Sequence, residues 1–193
     1  MKILNKAIAL TLCAAAGLSL TACGKNYDGT YKATYDCSDV FADALGGVEL
    51  DGELNVEFTL TLEKGEYELE LDGDTFQANA EEYFSNNMDT IMLASFGASD
   101  ISEIEDYATM LGYADYDEMK ADMLDMMMAE FDSDEMNVTD SGKYTVKGDV
   151  IEFDSDDNED FDGEVNDGKI TLVMEDEDDI FGGDVELVFE AEK

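Results

Sequence analysis

Histidine, arginine and tryptophan are missing from this chain of 193 residues, and only three cysteines are present. Without these residues the chain cannot build the usual nucleophilic triads, phosphate clamps or zinc ligand sets. Carboxylates are the acid–base groups that remain, and a chain with 50 of them does not single out the pair that a glycosidase would use. We therefore expect a protein that is not an enzyme.

Positive charge is also scarce in this sequence. All ten basic residues are lysine, and Lys2 and Lys6 precede Cys23, so the rest of the chain carries 8 lysines against 50 acids, a formal charge of −42. The electric field of this large negative charge repels nucleic acid and attracts cations, so we expect no nucleic-acid partner. Because 45% of the residues are hydrophobic and follow periodic patterns, we expect a folded domain with an acidic surface.

The beginning of the chain has the layout of an export signal. Lys2 and Lys6 form a positive start, and Ala7 to Ser19 is an apolar run too short to span a bilayer. The segment Leu20-Thr21-Ala22-Cys23 that follows resembles, residue by residue, the lipobox of bacterial lipoproteins. The resemblance implies cleavage before Cys23 and a diacylglyceryl thioether on its sulfur. The alternative is an ordinary secretory signal.

The predicted organisation is a lipoprotein signal peptide at 1–22, a lipidated tether at 23–28, and one acidic β-rich domain at 29–193 with a helical insert at about 74–136. Two or three acyl chains hold a protein on a bilayer because each buried methylene contributes about 0.8 kcal/mol. We expect a monomer anchored at the extracytoplasmic face of the cell membrane. Cys37 would be its one free thiol, and we expect a structural role because no histidine is present to activate it.

Alternation of apolar and polar residues predicts eight strands, three before a helical stretch and five after it. The turn signals Lys64-Gly65 and Asp167-Gly168 each predict a hairpin. The second strand is expected to include Val48 and Leu50. Like the apolar residues from Leu54 to Leu62, they occupy even-numbered positions and would fall on the same face of a strand.

Apolar residues at steps of three and four predict helices in the stretch between the strands. The first helix would span Phe76 to Phe96, the second Ile101 to Leu111, and the third Tyr116 to Phe131. The methionines of the third helix are expected to fill a core, with Cu(I) binding as the alternative. They are Met119, Met123, Met126 and Met127.

Strands with one apolar face each can hide it by closing into a barrel or by lying under the helices. The segment Asp28-Gly29-Thr30-Tyr31 resembles the Gly-x-Trp start of lipocalin-type barrels, and the hairpins at 142–153 and 162–172 are similar to those of lipocalin-like lipoproteins of Firmicutes. We expect a β-rich α+β fold, an eight-stranded, mostly antiparallel lipocalin-like barrel with a two- to three-helix insertion after strand 3. The alternative is an open antiparallel sheet covered by the helices.

The resemblance implies an apolar pocket, and the first functional hypothesis is a non-enzymatic lipoprotein that binds a small apolar or amphipathic ligand. Nine residues at the inward-facing positions of the strands are expected near this pocket. They are Tyr31, Tyr35, Phe58, Leu60, Tyr67, Leu69, Phe153, Leu172 and Phe189. The competing hypothesis is an interaction or structural protein of the envelope, whose acidic surface binds a basic partner or divalent cations. A barrel filled by large side chains would favour the second hypothesis.

A weak Ca²⁺ candidate lies in the second half of the chain. Asp156, Asn158, Asp160 and Asp162 recur at every second position before Gly163, and calcium prefers such oxygen ligands. Lys169 stands where a calcium loop would have its bidentate glutamate, so a solvated acidic loop is the favoured interpretation. The acidic run Glu175–Asp179 is interpreted in the same way. No other cofactor is expected.

Overall fold

The structure, a computed structural model, describes residues 26–129, 131, 136–174 and 184–192. The lipobox-like segment that ends at Cys23 and the acidic run Glu175–Asp179 lie outside these ranges. The chain forms two compact units. Within the described residues, the barrel unit comprises 26–35, 56–72, 136–174 and 184–192, and the helical unit comprises 36–55, 73–129 and 131.

Eight strands form the barrel. They are β1 (Gly29–Asp36), β2 (Asn55–Glu63), β3 (Glu66–Leu71), β4 (Val138–Lys147), β5 (Val150–Ser155), β6 (Phe161–Asn166), β7 (Lys169–Met174) and β8 (Val185–Ala191). The strands hydrogen bond in chain order and β1 pairs with β8, so the antiparallel sheet closes on itself. The predicted eight-stranded barrel is confirmed, and the open sheet is excluded.

Tight turns join the strands at the end of the barrel where β1 begins, which we call the N-terminal end. Lys64 (φ 54°) and Gly65 (φ 86°) connect β2 to β3, and Asp167 (φ 51°) and Gly168 (φ 81°) connect β6 to β7. Positive φ at both central residues is the hairpin geometry that follows the twist of the strands, and it accounts for a glycine in each turn. Both predicted turns are confirmed. At the opposite end, which we call the loop end, residues 156–160 connect β5 to β6.

Among its described residues, the helical unit contains four helices. They are α1 (Ser38–Ala44), α2 (Gly73–Phe96), α3 (Ile101–Leu111) and α4 (Tyr116–Met128). The side chains of Asp100 and Asp115 cap α3 and α4 by accepting hydrogen bonds from backbone amides of the first turn. The three helices after β3 agree with the predicted insertion. No sequence pattern predicted α1, and Val48 and Leu50, which were expected in a strand, lie before β2 begins at Asn55.

Apolar residues from α2, α3 and α4 form the core of the helical unit. The buried members of this cluster are Met88, Met92, Ile104, Ala108, Tyr116 and Met119. Met123 and Met127 pack against the cluster, as predicted for core methionines. The prediction for Met126 was wrong, because its side chain is 52% exposed. Among the described helices, none combines the length and the apolar character needed to cross a bilayer.

Candidate functional site

The interior of the barrel collects nearly all the residues predicted to lie near a ligand. Eight of the nine are buried, at 7% exposure or less: Tyr31, Phe58, Leu60, Tyr67, Leu69, Phe153, Leu172 and Phe189. Tyr35, next to the last residue of β1, is only half-buried. The alternation of the strands therefore identified the inward face correctly.

Aromatic rings inside the barrel contact one another. The ring of Phe153 stacks on that of Phe161 at a centroid distance of 4.6 Å, and the ring of Tyr67 meets the edges of both at 5.0 and 5.6 Å. Leu60, Ile151 and Phe189 nearby in the same interior have no exposed surface. An eight-stranded barrel is just wide enough for its side chains to fill the interior, and these buried side chains with their ring contacts lie in that interior.

One carboxylate lies inside this apolar interior. Asp140 on β4 is 2% exposed and accepts three hydrogen bonds. The donors are the Tyr67 hydroxyl at 2.6 Å, the Ser155 hydroxyl at 2.7 Å and the Asn158 amide at 2.7 Å. Burial of a charged group is costly unless it is hydrogen bonded, and these three donors meet that requirement. Through Asn158, the cluster also holds the β5–β6 loop against the interior of the barrel.

Sequence reasoning missed Asp140, although a signal for it was present. Asp140 has the parity of Gly142 and Tyr144, which are buried on the inner face of β4. A single acid on the apolar face of a strand cannot be solvated there, so it needs partners from neighbouring strands. Here β3 supplies Tyr67 and the end of β5 supplies Ser155.

The tyrosines of the barrel predict a loss of stability at alkaline pH. Burial, followed by the hydrogen bond to Asp140, raises the pKa of Tyr67, and burial with the bond to Asp28 raises the pKa of Tyr144 to about 12. The folded barrel therefore holds both protons more tightly than the unfolded chain. The stability that they contribute is complete below about pH 10, the ordinary tyrosine value, and is lost as the pH rises through the folded-state values.

We expect the urea midpoint of the protein, followed by circular dichroism, to fall between about pH 10 and pH 12. A variant with Tyr67→Phe and Tyr144→Phe should show a smaller fall over the same range. A wild-type midpoint that does not change with pH would contradict this prediction.

The residues of the weak Ca²⁺ candidate do not converge on one point. Asn158 directs its amide to Asp140, and Asp162 lies on the outer face of β6 opposite Glu152. Asp156 and Asp160 are exposed in the β5–β6 loop. Within the described ranges, no three or more acidic, cysteine or histidine side chains form a group that could hold a metal ion.

At the N-terminal end, the residues just before β1 are bound to the barrel. The carboxylate of Asp28 accepts a hydrogen bond from the Tyr144 hydroxyl at 2.8 Å and one from the Lys64 amide at 3.0 Å. These two bonds, in that order, lower the pKa of Asp28. Tyr27 is buried, and its carbonyl accepts a bond from the Tyr31 hydroxyl at 2.9 Å. Sequence reasoning had placed Tyr27 and Asp28 in the tether, and both hydrogen bond to the barrel.

The outer face of β3 and its neighbours carries unneutralised acid. We define the glutamate stripe as Glu57, Glu68 and Glu70, all of which are exposed. The residues opposite Glu68 and Glu70 on the adjacent strands are uncharged. They are Thr59, Thr61, Thr139 and Ser141. Glu68 and Glu70 therefore have hydroxyl-bearing residues, and no lysine, directly opposite them on β2 and β4.

Three other outer acids are matched by lysines. Ion pairs join Lys32 to Glu192, Lys147 to Glu152 and Lys169 to Glu190. Two of these pairs line a groove of about 630 Å³ on the outer face of β1, β7 and β8. Its lining residues are Lys32, Ala33, Thr34, Lys169, Val188, Glu190, Ala191 and Glu192.

Comparisons with known proteins found no match for this chain. No protein-family model matches the chain, and no curated protein or solved structure matches it significantly. The functional argument therefore depends on the sequence and the geometry of the described residues.

Proposed function

We propose that this protein is a lipid-anchored lipoprotein of the extracytoplasmic face of the cell membrane, and that its barrel binds a basic protein through its acidic outer surface without catalysis. The lipobox-like segment ending in Cys23 supports the anchor. The absence of histidine and arginine from the sequence supports a role other than catalysis.

The packed interior is the observation that carries this proposal. The rings of Phe153, Phe161 and Tyr67 contact one another inside the barrel, where a lipocalin-type barrel would hold its ligand. These contacts support binding at the outer surface. The net charge of that surface favours a cationic partner, and electrostatic attraction accelerates the encounter with it.

The glutamate stripe is the part of the outer surface that we assign to the partner. Its carboxylates lie on β2 and β3, whereas Glu152, Glu190 and Glu192 have lysine partners on the protein itself. An exposed carboxylate without a lysine neighbour gains more from a cationic partner than one that is already paired.

Carbodiimide cross-linking on intact cells tests this proposal, because the reagent joins a carboxylate to a lysine amine in direct contact. We expect a discrete adduct, identified by mass spectrometry as this chain joined to one lysine-rich protein. The adduct should be lost in the variant E57Q/E68Q/E70Q and kept in the matched variant E152Q/E190Q/E192Q. An adduct that survives the first set of changes, or no adduct at all, would refute the assignment. Enhanced stability with Ca²⁺ alone would instead favour divalent cations as the partner.

A small apolar or amphipathic ligand is the second candidate, and the buried Asp140 cluster favours it. Asn158 closes the β5–β6 loop over an interior carboxylate, which is an arrangement that could orient the polar end of a ligand if the loop opened. Native mass spectra of the protein released from its own envelope distinguish the two candidates. An adduct removed by organic extraction would establish the ligand and give its mass, whereas an unchanged apo mass would favour surface binding.

A further inference from the structure

The exposed apolar residues of the described fold are concentrated on one helix. Six large hydrophobic residues are exposed within the described ranges, and three of them lie on α3. They are Tyr107, Met110 and Leu111, with 46%, 73% and 60% of their surface exposed. Because residues three and four apart are neighbours on a helix, the three side chains form one surface, which we call the α3 patch. A contiguous apolar surface of this kind marks an interaction site, whereas single exposed apolar residues are normal.

Packing within the helical unit supports the α3 patch from one side only. Ile104 and Ala108 are the buried residues of α3, and both belong to the core cluster of this unit. The ring of Tyr107 contacts that of Phe96 on α2 at a centroid distance of 5.9 Å, and Phe96 packs against the same cluster. The patch is therefore ordered by the core while its outer side stays exposed, so a partner would lose little entropy in ordering it.

Negative charge flanks the α3 patch, and basic residues are nearly absent from this part of the chain. Residues 73–129 contain 13 acids and one lysine, Lys120, which is already paired with Asp89. Glu103 and Asp106 are exposed, and each lies one turn before a residue of the patch on the same helix. The last turn of α3 has no basic side chain, so the partial negative charge of its C-terminus is not balanced there. The apolar surface therefore lies within an acidic surrounding.

We propose that the α3 patch binds a basic amphipathic helix of a partner protein, with the apolar side chains of that helix on the patch and its lysines or arginines next to Glu103 and Asp106. The apolar surface and the flanking acids match the two faces of such a helix. A second copy of this chain or an anionic bilayer would bring further negative charge to the same place. This inference goes beyond the proposed function, because it needs neither the lipid anchor nor the glutamate stripe, which lies on the barrel.

Photo-cross-linking with a synthetic peptide tests this site. The probe has about 18 residues, enough to form a helix, with leucine on one face, lysine on the other and one diazirine-bearing leucine. The full mature chain is used in phosphatidylcholine nanodiscs, which carry no net charge, and digestion followed by mass spectrometry locates the label. We expect labelling of α3, and the yield at increasing peptide concentration gives the half-saturating concentration.

Removal of the apolar side chains should weaken the binding of the peptide. The variant M110S/L111S should raise the half-saturating concentration at least about tenfold, because two side chains no longer bury apolar surface against the peptide. Both residues are exposed, so this variant should keep a urea midpoint close to that of the wild type. The matched variant V173S/V188S, which removes two exposed apolar residues from β7 and β8, should leave the concentration unchanged. A scrambled peptide of the same composition, which has no apolar face, should label the wild type and M110S/L111S alike.

Removal of the flanking acids should also weaken the binding of the peptide. The variant E103Q/D106Q should raise the half-saturating concentration severalfold and make it less dependent on salt. The variant E68Q/E70Q, which makes the same change in net charge on the barrel, should have little effect.

Three results would overturn the proposal. Equal half-saturating concentrations for M110S/L111S and the wild type would show that charge alone attracts the peptide. Labelling of α3 by a diazirine-bearing phosphatidylcholine would identify the bilayer as the occupant of the patch. A wild-type dimer that M110S/L111S dissociates would identify a second copy of this chain as the occupant. None of these results affects the carbodiimide test of the glutamate stripe.

Discussion

The substitution Gly142→Ala is expected to destabilise the barrel by at least about 3 kcal/mol, at the upper end of the range for overpacked sites. Gly142 lies on the inner face of β4 between Tyr67 of β3 and Ser155 of β5. A Cβ atom at this position would overlap the backbone carbonyl oxygen of Asp154 and lie 3.0 Å from the Cα of Ser155. Because these atoms belong to the backbone, β5 would have to move away from β4.

The urea midpoint measured by far-ultraviolet circular dichroism tests the effect of Gly142→Ala. The neighbouring Ser141→Ala is a suitable control, because Ser141 is exposed and its side chain projects outward. The control should stay within about 0.5 kcal/mol of the wild type, as is usual for surface changes. A similarly small effect of Gly142→Ala would show that the two strands separate more readily than the structure indicates.

Removal of the carboxylate in Asp140→Ala is expected to cost about 3 kcal/mol of folding free energy, since three hydrogen-bond donors lose their shared acceptor. Asp140→Asn keeps one carbonyl oxygen in place and should cost less, about 1–2 kcal/mol. Backbone amides of the β5–β6 loop should also exchange with solvent faster in Asp140→Ala, because Asn158 no longer has its acceptor.

Asp154→Ala provides the matched comparison for Asp140→Ala. Asp154 is an exposed aspartate on β5, on the outer side of the same part of the barrel. Its removal lowers the net negative charge by the same amount, so a general relief of charge repulsion would affect both variants equally. If the two variants were equally stable, the three hydrogen bonds to Asp140 would contribute nothing measurable to the barrel.

The strands and their inward faces could be predicted because burial of one face imposes a strict two-residue period. Phe58, Leu60 and Leu172 are buried as that period requires, and the left-handed turns at Gly65 and Gly168 follow from local backbone preferences. The closure of the sheet by β1 and β8 was expected from the number of strands. Each of these features depends on local pattern or on a simple count.

The parts that were missed depend on contacts between residues far apart in sequence. α1 has only seven residues and none of them is buried, so it is too short to show a repeating apolar pattern. The partners of Asp140 come from positions 67, 155 and 158, which no local pattern brings together. The hydrogen bond from the Tyr144 hydroxyl to Asp28 likewise joins residues separated by 116 positions. Met126 shares the apolar composition of α4 but lies on its exposed side.

The burial of Cys37 makes the helical unit suitable for a measurement that needs no added label. Its thiol donates a hydrogen bond to the Leu54 carbonyl at 3.1 Å, and it is the one cysteine within the described residues. An alkylating reagent can reach this sulfur only when the segment around Ser38 and Leu54 detaches, so the rate of alkylation counts those opening events. In living cells, the alkylation rate of Cys37 would measure how often the native fold opens locally. A bound partner that suppresses this opening would be detected as a slower rate.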